Sequence, residues 1–395
     1  MLWRMARAKT SSGLTNAKLN EMRQKGDPVA DRAVEAVFKR AGIGEVNAVL
    51  HKLVRVDQPV PAELPEEVQK YLKETIDLPA WADTSKIARG QKLFETMGLQ
   101  ITLCLFCASL PSAYAAAKAV KVLYLTAQLD TNARRRVMET AQFLFDVLSP
   151  GSLEENGDGR RAIQKIRLMH AAVRVLIQER RKQQPKLWHH DWGTPINQED
   201  LAATLLVFWF VVGEPMDHLG ISVPDVDKDA YLHLWNVIGH QLGVCDELLV
   251  FDVNKASALI DLIRRRQFKA SPEGQHMTRA LLVLLDQLTP LHQFDATIPP
   301  LIRHLIGDKT ADLLLVPQSA LGGEVKRLQR ITNWFYVRVF GRPGKRDSER
   351  YDFVSGLVRP FMGELLRGMF ELERGGTRAP FALPDHLAHS WELSK

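Results

Sequence analysis

The stretch that decides the fold is RLMHAAVRVLI, residues 167–177. Together with the residues just before it, this stretch repeats apolar side chains at steps of three and four: Ile163, Ile166, His170, Val173 and Ile177. Such spacing places them on one face of an amphipathic helix. A histidine therefore lies at the centre of an otherwise apolar helical face.

Two arginines flank that histidine on the same side of the helix. Arg167 and Arg174 stand three residues before and four residues after His170, so all three are neighbours on the helix surface. A buried imidazole needs a partner for its nitrogens. His170 is either a core histidine bonded to a backbone carbonyl or an axial ligand of haem iron. The second interpretation also accounts for the arginines, which would bind the two haem carboxylates.

Composition indicates a soluble globular chain. Of 395 residues, 46% are hydrophobic and 25% are charged, as in ordinary folded domains. The net charge of +6 and the pI of about 9.1 are modest. Basic runs at 134–136 and 264–266 coincide with predicted helix ends, and cations are favourable at helix C-termini. No nucleic-acid recognition motif accompanies them, so nucleic-acid binding is disfavoured.

Start and stop signals divide the chain into helices. One predicted helix begins at Asp27 and ends on Gly42. A second covers 83–110 and ends at Pro111, and a third covers 112–129. Another ends before Pro150. Asn197, with Asp200 three residues further on, is the predicted N-cap of the helix over 201–212.

Segments that alternate as strands do are few, so the chain is predicted to be all-α, a single bundle-like domain. Residues 1–80 are predicted to be wrapping helices and 81–330 the core. Residues 331–395 are predicted to be C-terminal helices and an irregular strap.

Signals of compartment and of simple metal sites are weak. No secretory signal is visible, and the longest apolar run, residues 201–212, is too short to cross a bilayer; we expect a cytoplasmic protein without a transmembrane segment. Cys104 and Cys107 form a C-x-x-C inside an apolar run, which favours two small buried side chains over a redox pair. The HHD sequence at 189–191 is interpreted as a solvated turn.

Familiar catalytic motifs are missing from the sequence. It contains no H-E-x-x-H, zinc quartet, G-x-S-x-G, Walker loop or dinucleotide fingerprint. His170 is therefore the first candidate for chemistry. The preceding helix contributes a polar trio, Arg136, Glu139 and Thr140, at i, i+3 and i+4. Either Arg136 pairs with Glu139 or Thr140 on an exposed helix face, or the three residues line a pocket.

Several ordered segments carry a family resemblance. They are QKLFETMGLQITLCLFCASLPSAYAAAKAVKVLYLTAQL, RRRVMETAQFLFDVL, IRLMHAAVRVLI and WGTPINQEDLAATLL. In these the chain resembles the latex clearing protein (rubber oxygenase) family, whose broader membership includes a fungal oxygenase that shortens a farnesyl side chain in mycophenolic acid biosynthesis. The resemblance covers roughly residues 25 to 320.

The resemblance implies a mostly helical, globin-like core that holds haem b. His170 falls on the family's proximal iron ligand, and the two flanking arginines fall on arginines of the haem site. Arg136 and Thr140 fall on the distal R-x-x-K-T segment. Glu139 replaces the lysine of that segment. Val120 falls where rubber oxygenases place a proposed catalytic carboxylate, so either Glu139 supplies the acid–base group or the chemistry has changed.

The expected function is that of a haem b-dependent oxygenase. Dioxygen and an apolar olefin, isoprenoid in type, would be its substrates, and cleavage of the double bond would give carbonyl products. Two alternatives stay open: a haem protein that binds or senses oxygen or lipid without turnover, and a helical lipid or terpenoid carrier without haem. A basic nucleic-acid binder is a remote third.

Overall fold

The fold is helical throughout the part of the chain that can be described. The computed structural model describes residues 14–52, 64–126, 133–219, 221–288 and 294–318. Within these ranges the extended structure is limited to one antiparallel bridge between Ala116 and Phe268. The predicted all-α class is confirmed. The strap and helices predicted for 331–395, and the first thirteen residues of the predicted wrapping segment, lie outside the described residues.

The described residues form fifteen α-helices, several joined by single helical turns. They are α1 (Asn16–Met22), α2 (Pro28–Lys52), α3 (Glu66–Glu74), α4 (Thr84–Cys104), α5 (Leu110–Ala115), α6 (Val120–Thr126), α7 (Ala133–Leu148), α8 (Asp158–Gln183), α9 (Gln198–Trp209), α10 (Glu214–His218), α11 (Asp225–Gln241), α12 (Val253–Gln267), α13 (Pro272–Leu288), α14 (Phe294–Ile306) and α15 (Asp308–Leu313).

Local signals set many of these boundaries as predicted. The side chain of Asn197 caps α9 by accepting from the backbone N–H of Asp200 at 3.0 Å. Gly42 has a φ of +75°, which breaks the helical path inside α2 where the sequence predicted an end. Helix α7 ends two residues before Pro150. Short-range chemistry is sufficient at these three points.

The segment from 105 to 126 corrects two predictions. Pro111 does not end a helix; a π-helical turn, Leu105–Ser109, leads into α5, and Pro111 lies in the first turn, where its missing N–H costs little. The helix predicted over 112–129 is broken after Ala115. There the backbone N–H of Ala117 donates to the carbonyl of Gln267 at 3.0 Å. Hydrogen bonds to the end of α12 thus replace helical ones.

Helix α8 lies between two hydrophobic clusters. Ile163 and Ile166 pack into the larger cluster with α4, α7, α9 and α11. Leu168, Ala172 and Leu176 pack into a smaller cluster with α2 and α3. Helices α2 and α3 therefore cover one side of α8.

No single helix in the described ranges is both long and apolar enough to cross a membrane. The segments Thr84–Gly98 and Gln100–Ala115 meet that test only as a pair, and they are bent by 85° relative to each other.

Candidate functional site

An apolar cavity of about 310 Å³ lies within the larger cluster. Its walls come from α5, α6, α7, α8, α9, α11, α12 and α13. Most of the lining is aliphatic or aromatic, as in Phe143, Ile166, Leu205, Phe208 and Trp235. A mostly apolar enclosure with a few polar groups is typical of a site for a cofactor or an apolar ligand.

His170 borders this cavity. Its side chain comes from α8 and is half-buried, and no other described lining residue is a histidine or a cysteine. Among the described residues, the cavity therefore has one imidazole, set among apolar side chains. Such a donor can bind the iron of a porphyrin, whose flat apolar faces suit these walls.

Helix α7 brings the predicted distal residues to the same cavity. Glu139 and Thr140 are half-buried and line it together with His170. Arg136 belongs to the first turn of α7, and its side chain lies outside what the structure describes. Of the two interpretations of the polar trio, pocket lining is confirmed for Glu139 and Thr140.

The structure gives Arg167 and Arg174 a different role from the one predicted. Arg167 donates to both carboxylate oxygens of Asp27, at 2.5 and 2.9 Å. Arg174 donates to Asp31 at 2.7 Å and to the carbonyl of Ile196 at 3.1 Å. Neither arginine lines the cavity.

The geometry of the helix explains this correction. At about 100° per residue, both arginines lie roughly 50° to one side of His170, which turns them toward the start of α2. Asp27 and Asp31, carboxylates of the protein itself, accept the hydrogen bonds that haem carboxylates were predicted to accept. The arginines anchor α8 to α2, and they do not fit the predicted cofactor-binding role.

Arg174 still affects the cavity indirectly. The carbonyl that it binds belongs to Ile196, a lining residue whose φ is +49°. A β-branched residue rarely adopts this left-handed conformation, which costs of order 1–3 kcal/mol. The strained wall residue is held between the Arg174 guanidinium and the Asn197 cap that follows it.

Sequence reasoning missed two charged residues of the lining, Asp200 and Arg264. Asp200 accepts from Arg23 at 3.0 Å and from the Asn197 amide at 2.8 Å. Burial raises the pKa of its carboxyl to about 6, although Arg23 acts in the opposite direction. The sequence indicated Asp200 only as a helix-capping position.

Other sequence candidates lie elsewhere. Val120 falls at the position of the proposed catalytic carboxylate of rubber oxygenases. It is fully buried and does not line the cavity. Cys104 and Cys107 are buried without a disulfide, in agreement with their interpretation as two small buried side chains. At 189–191, three exposed side chains place their ligand atoms within 4.8 Å of one another. Both histidines there already pair with Asp191, as expected of a surface turn.

Fold and site together define a class: a helical protein built around an apolar cavity that one imidazole and a few polar side chains border. The comparisons narrow this class to a family. Residues 96–323 match the model of the family described as "ER-bound oxygenase mpaB/B'/Rubber oxygenase, catalytic domain". The match spans more than half of the chain, which therefore belongs to this family of oxygenases.

Two relatives support the assignment. The chain is 28% identical to the rubber oxygenase of Streptomyces sp. (strain K30) over 296 residues, which cover 73% of this chain and 70% of that protein. The solved structure of latex clearing protein LCP in the closed state superposes with a TM-score of 0.71 at 23% identity, and covers 87% of this chain and 91% of its own. The predicted family and the helical fold are confirmed.

Proposed function

We propose that this chain is a haem b-dependent oxygenase that cleaves a carbon–carbon double bond of an isoprenoid or related olefin with dioxygen. One observation supports this most strongly: His170 borders an apolar cavity that Glu139 and Thr140 also line, in a chain of an oxygenase family. The rubber oxygenase relative is named for an isoprenoid polymer, which makes an olefin the natural substrate class.

The residues present fit a haem. His170 would hold the iron, and the apolar side chains of α5, α9 and α13 would contact the porphyrin faces. When bound, haem b supplies the iron chemistry by which dioxygen is activated toward an olefin. No Cys-x-x-Cys-His attachment sequence is present, so the group would be held non-covalently.

The protein's own contribution follows from the lining. Phe143, Phe208 and Trp235 exclude water and orient an apolar chain in the cavity. Thr140 offers a hydroxyl that both donates and accepts hydrogen bonds. Glu139 offers a carboxyl that can hold or release a proton beside the reacting olefin. It stands where the resemblance places a lysine, so we propose that the acid–base group of this chain is Glu139.

The haem assignment is tested by replacing the iron ligand. The purified His170→Ala variant should stay folded and lose most of its haem, seen as the Soret absorbance per protein, because no other described lining residue has an imidazole that could replace it. His189→Ala, which alters an exposed histidine, is the matched control and should keep its haem. A full Soret band in His170→Ala would rule out this ligand.

The proton role of Glu139 needs a separate test. Glu139→Gln should keep haem and fold but lose most olefin cleavage, measured by mass detection of carbonyl products from substrates ranging from farnesyl-sized olefins to polyisoprene. Glu95→Gln, an exposed glutamate on α4, should leave turnover unchanged. Unchanged turnover in Glu139→Gln would refute the role of Glu139 in proton transfer. Formation of carbonyl products by the parent protein in air would distinguish an oxygenase from an oxygen sensor or a lipid carrier.

A further inference from the structure

The three consecutive arginines at the end of α12 have three different environments. Arg264 lines the cavity, Arg265 is exposed, and Arg266 donates to Glu199 at 2.8 Å. Among the described lining residues, Arg264 is the cation. The sequence pattern presented the three as equivalent charges at a helix C-terminus, so only the structure distinguishes Arg264.

The guanidinium of Arg264 has weak partners. Its Nη1 lies 3.6 Å from a carboxylate oxygen of Glu214 and 3.6 Å from one of Asp261. Both distances exceed the roughly 2.7–2.9 Å of a charge-assisted hydrogen bond. The side chains of Glu214 and Asp261 are more than half exposed, where an ion pair contributes little. The Nε is buried and has no acceptor among the described residues.

Two buried arginines of the structure are paired more tightly. Arg23 donates to Glu199 at 3.1 Å and to Asp200 at 3.0 Å, and Arg167 binds Asp27 through two nitrogens. Arg264 instead stacks on the ring of Phe210, with its central carbon 4.2 Å from the centroid. Burial lowers the pKa of its guanidinium, since Glu214 and Asp261 offset the loss of water only in part. Arg264 is thus a cation at the cavity wall with hydrogen-bonding capacity left over.

We propose that Arg264 binds an anionic oxygen group, of the carboxylate class, on the molecule that occupies the cavity. A guanidinium is suited to a carboxylate because two of its N–H groups can bind both oxygens. The other lining charges do not compete for this group: Glu139 is an acid, and Asp200 is an acid bound to Arg23. The apolar body of the ligand then lies against Phe208 and Trp235, whose rings stack at 5.1 Å.

This inference rests on the proposed function, since it takes the cavity to be the site of haem and substrate. The same chemistry has two sources: a propionate of the haem, or a carboxylate at the end of an isoprenoid acid. Each source predicts a different ligand pair for which Arg264 matters. Neither pair requires catalytic turnover for its measurement.

The experiment compares anionic and neutral ligands on the purified full-length protein. Haem and haem dimethyl ester are titrated by their Soret band, and farnesoic acid and farnesol by calorimetry. The variants are Arg264→Gln and Arg264→Lys. Arg265→Gln, which removes the same charge from the exposed neighbour, is the matched control. Thermal unfolding of each variant checks its fold.

The parent should prefer at least one anionic ligand over its neutral partner by about tenfold, the effect of one charge-assisted hydrogen bond. Arg264→Gln should abolish that preference, Arg264→Lys should keep part of it, and Arg265→Gln should keep all of it. Loss of preference for haem identifies a propionate, and loss of preference for farnesoic acid identifies an isoprenoid acid.

Three results would overturn the inference. If the parent binds haem but prefers neither anionic ligand, Arg264 is not an anion site, and the proposed function stands. If the parent binds none of the four ligands, both proposals fall. A preference for the anionic ligand that survives in a folded Arg264→Gln variant also refutes the inference. If that variant does not fold, the comparison of anionic and neutral ligands on the parent still tests the inference.

Discussion

Removing the Asp27 carboxylate should destabilise this protein far more than removing an exposed carboxylate does. The Arg167 and Asp27 side chains are 10% and 3% exposed, and they share two hydrogen bonds. Burial alone lowers the pKa of the Arg167 guanidinium, yet the hydrogen bond and charge of Asp27 raise it above its ordinary value. Asp27→Ala would leave that cation buried, and among the described residues its remaining hydrogen-bond acceptor would be the carbonyl of Gln241, 3.2 Å away.

The expected loss is about 3–5 kcal/mol, the usual cost of removing one member of a buried ion pair. The exposed pair of Lys86 and Asp229 is the control. Its N–O distance is a comparable 2.7 Å, but its side chains are 43% and 39% exposed, so Asp229→Ala should cost at most about 1 kcal/mol.

Urea unfolding of the haem-free full chain, followed by circular dichroism, measures both losses. The double variant Asp27→Leu, Arg167→Met should recover much of the loss, because an apolar pair carries no buried charge. A cost below 1 kcal/mol for Asp27→Ala would refute the reasoning. The predicted haem-carboxylate role of Arg167 would return if Arg167→Met weakened haem binding far more than an equally destabilising Asp27→Asn.

Three further outcomes are expected. Gly243→Ala should lower the free energy of unfolding in urea by more than the roughly 1–2 kcal/mol that a left-handed backbone costs an alanine. The φ of Gly243 is +87°, and the new methyl group would also touch the Arg167–Asp27 pair. An unchanged free energy of unfolding would contradict this. Protonated Asp200 contributes stability that is complete below pH 4 and lost as the pH rises through about 6, since its folded pKa is raised from 3.8. Unfolding at pH 4 and 7 should therefore show the parent losing up to about 3 kcal/mol relative to Asp200→Asn, and parallel profiles would disprove it. Cys104 and Cys107 are buried, which raises the pKa of the Cys107 thiol to about 12. A thiol reagent at pH 8 should therefore label at most the half-buried Cys245 in the folded protein and all three cysteines after unfolding. Labelling of two or more cysteines in the folded protein would show that Cys104 and Cys107 are not both buried.

Local chemistry in the sequence was sufficient for the helical class and for many boundaries. Asn197, Gly42 and Pro150 act within a few residues of themselves, so their effects can be predicted without a structure. The break after Ala115 cannot be predicted in this way. Its residues favour a helix, and the hydrogen bonds that interrupt it come from Gln267, some 150 residues further along the chain.

The residues of the candidate site also include some that the sequence predicted and some that it did not. Periodicity and family resemblance brought out His170, Glu139 and Thr140, and the structure places all three at one cavity. The partner of Arg167 was not predicted because helical spacing gives the direction of a side chain relative to its neighbours and says nothing of what lies opposite. Arg264 was missed for the same reason: within three identical residues, only tertiary packing selects the one that meets the cavity.

The position of α8 between two hydrophobic clusters couples ligand affinity to the rest of the molecule. Any ligand held by His170 binds the folded chain alone, so at a free concentration one hundred times its Kd it adds about 2.7 kcal/mol to the free energy of unfolding. Linkage acts in both directions. A substitution in α2 or α3 that loosens their packing on α8 lowers the population of the binding-competent helix and weakens ligand binding, although the altered residue touches neither the ligand nor the cavity. The N-terminal helices are in this sense a remote determinant of occupancy at the site.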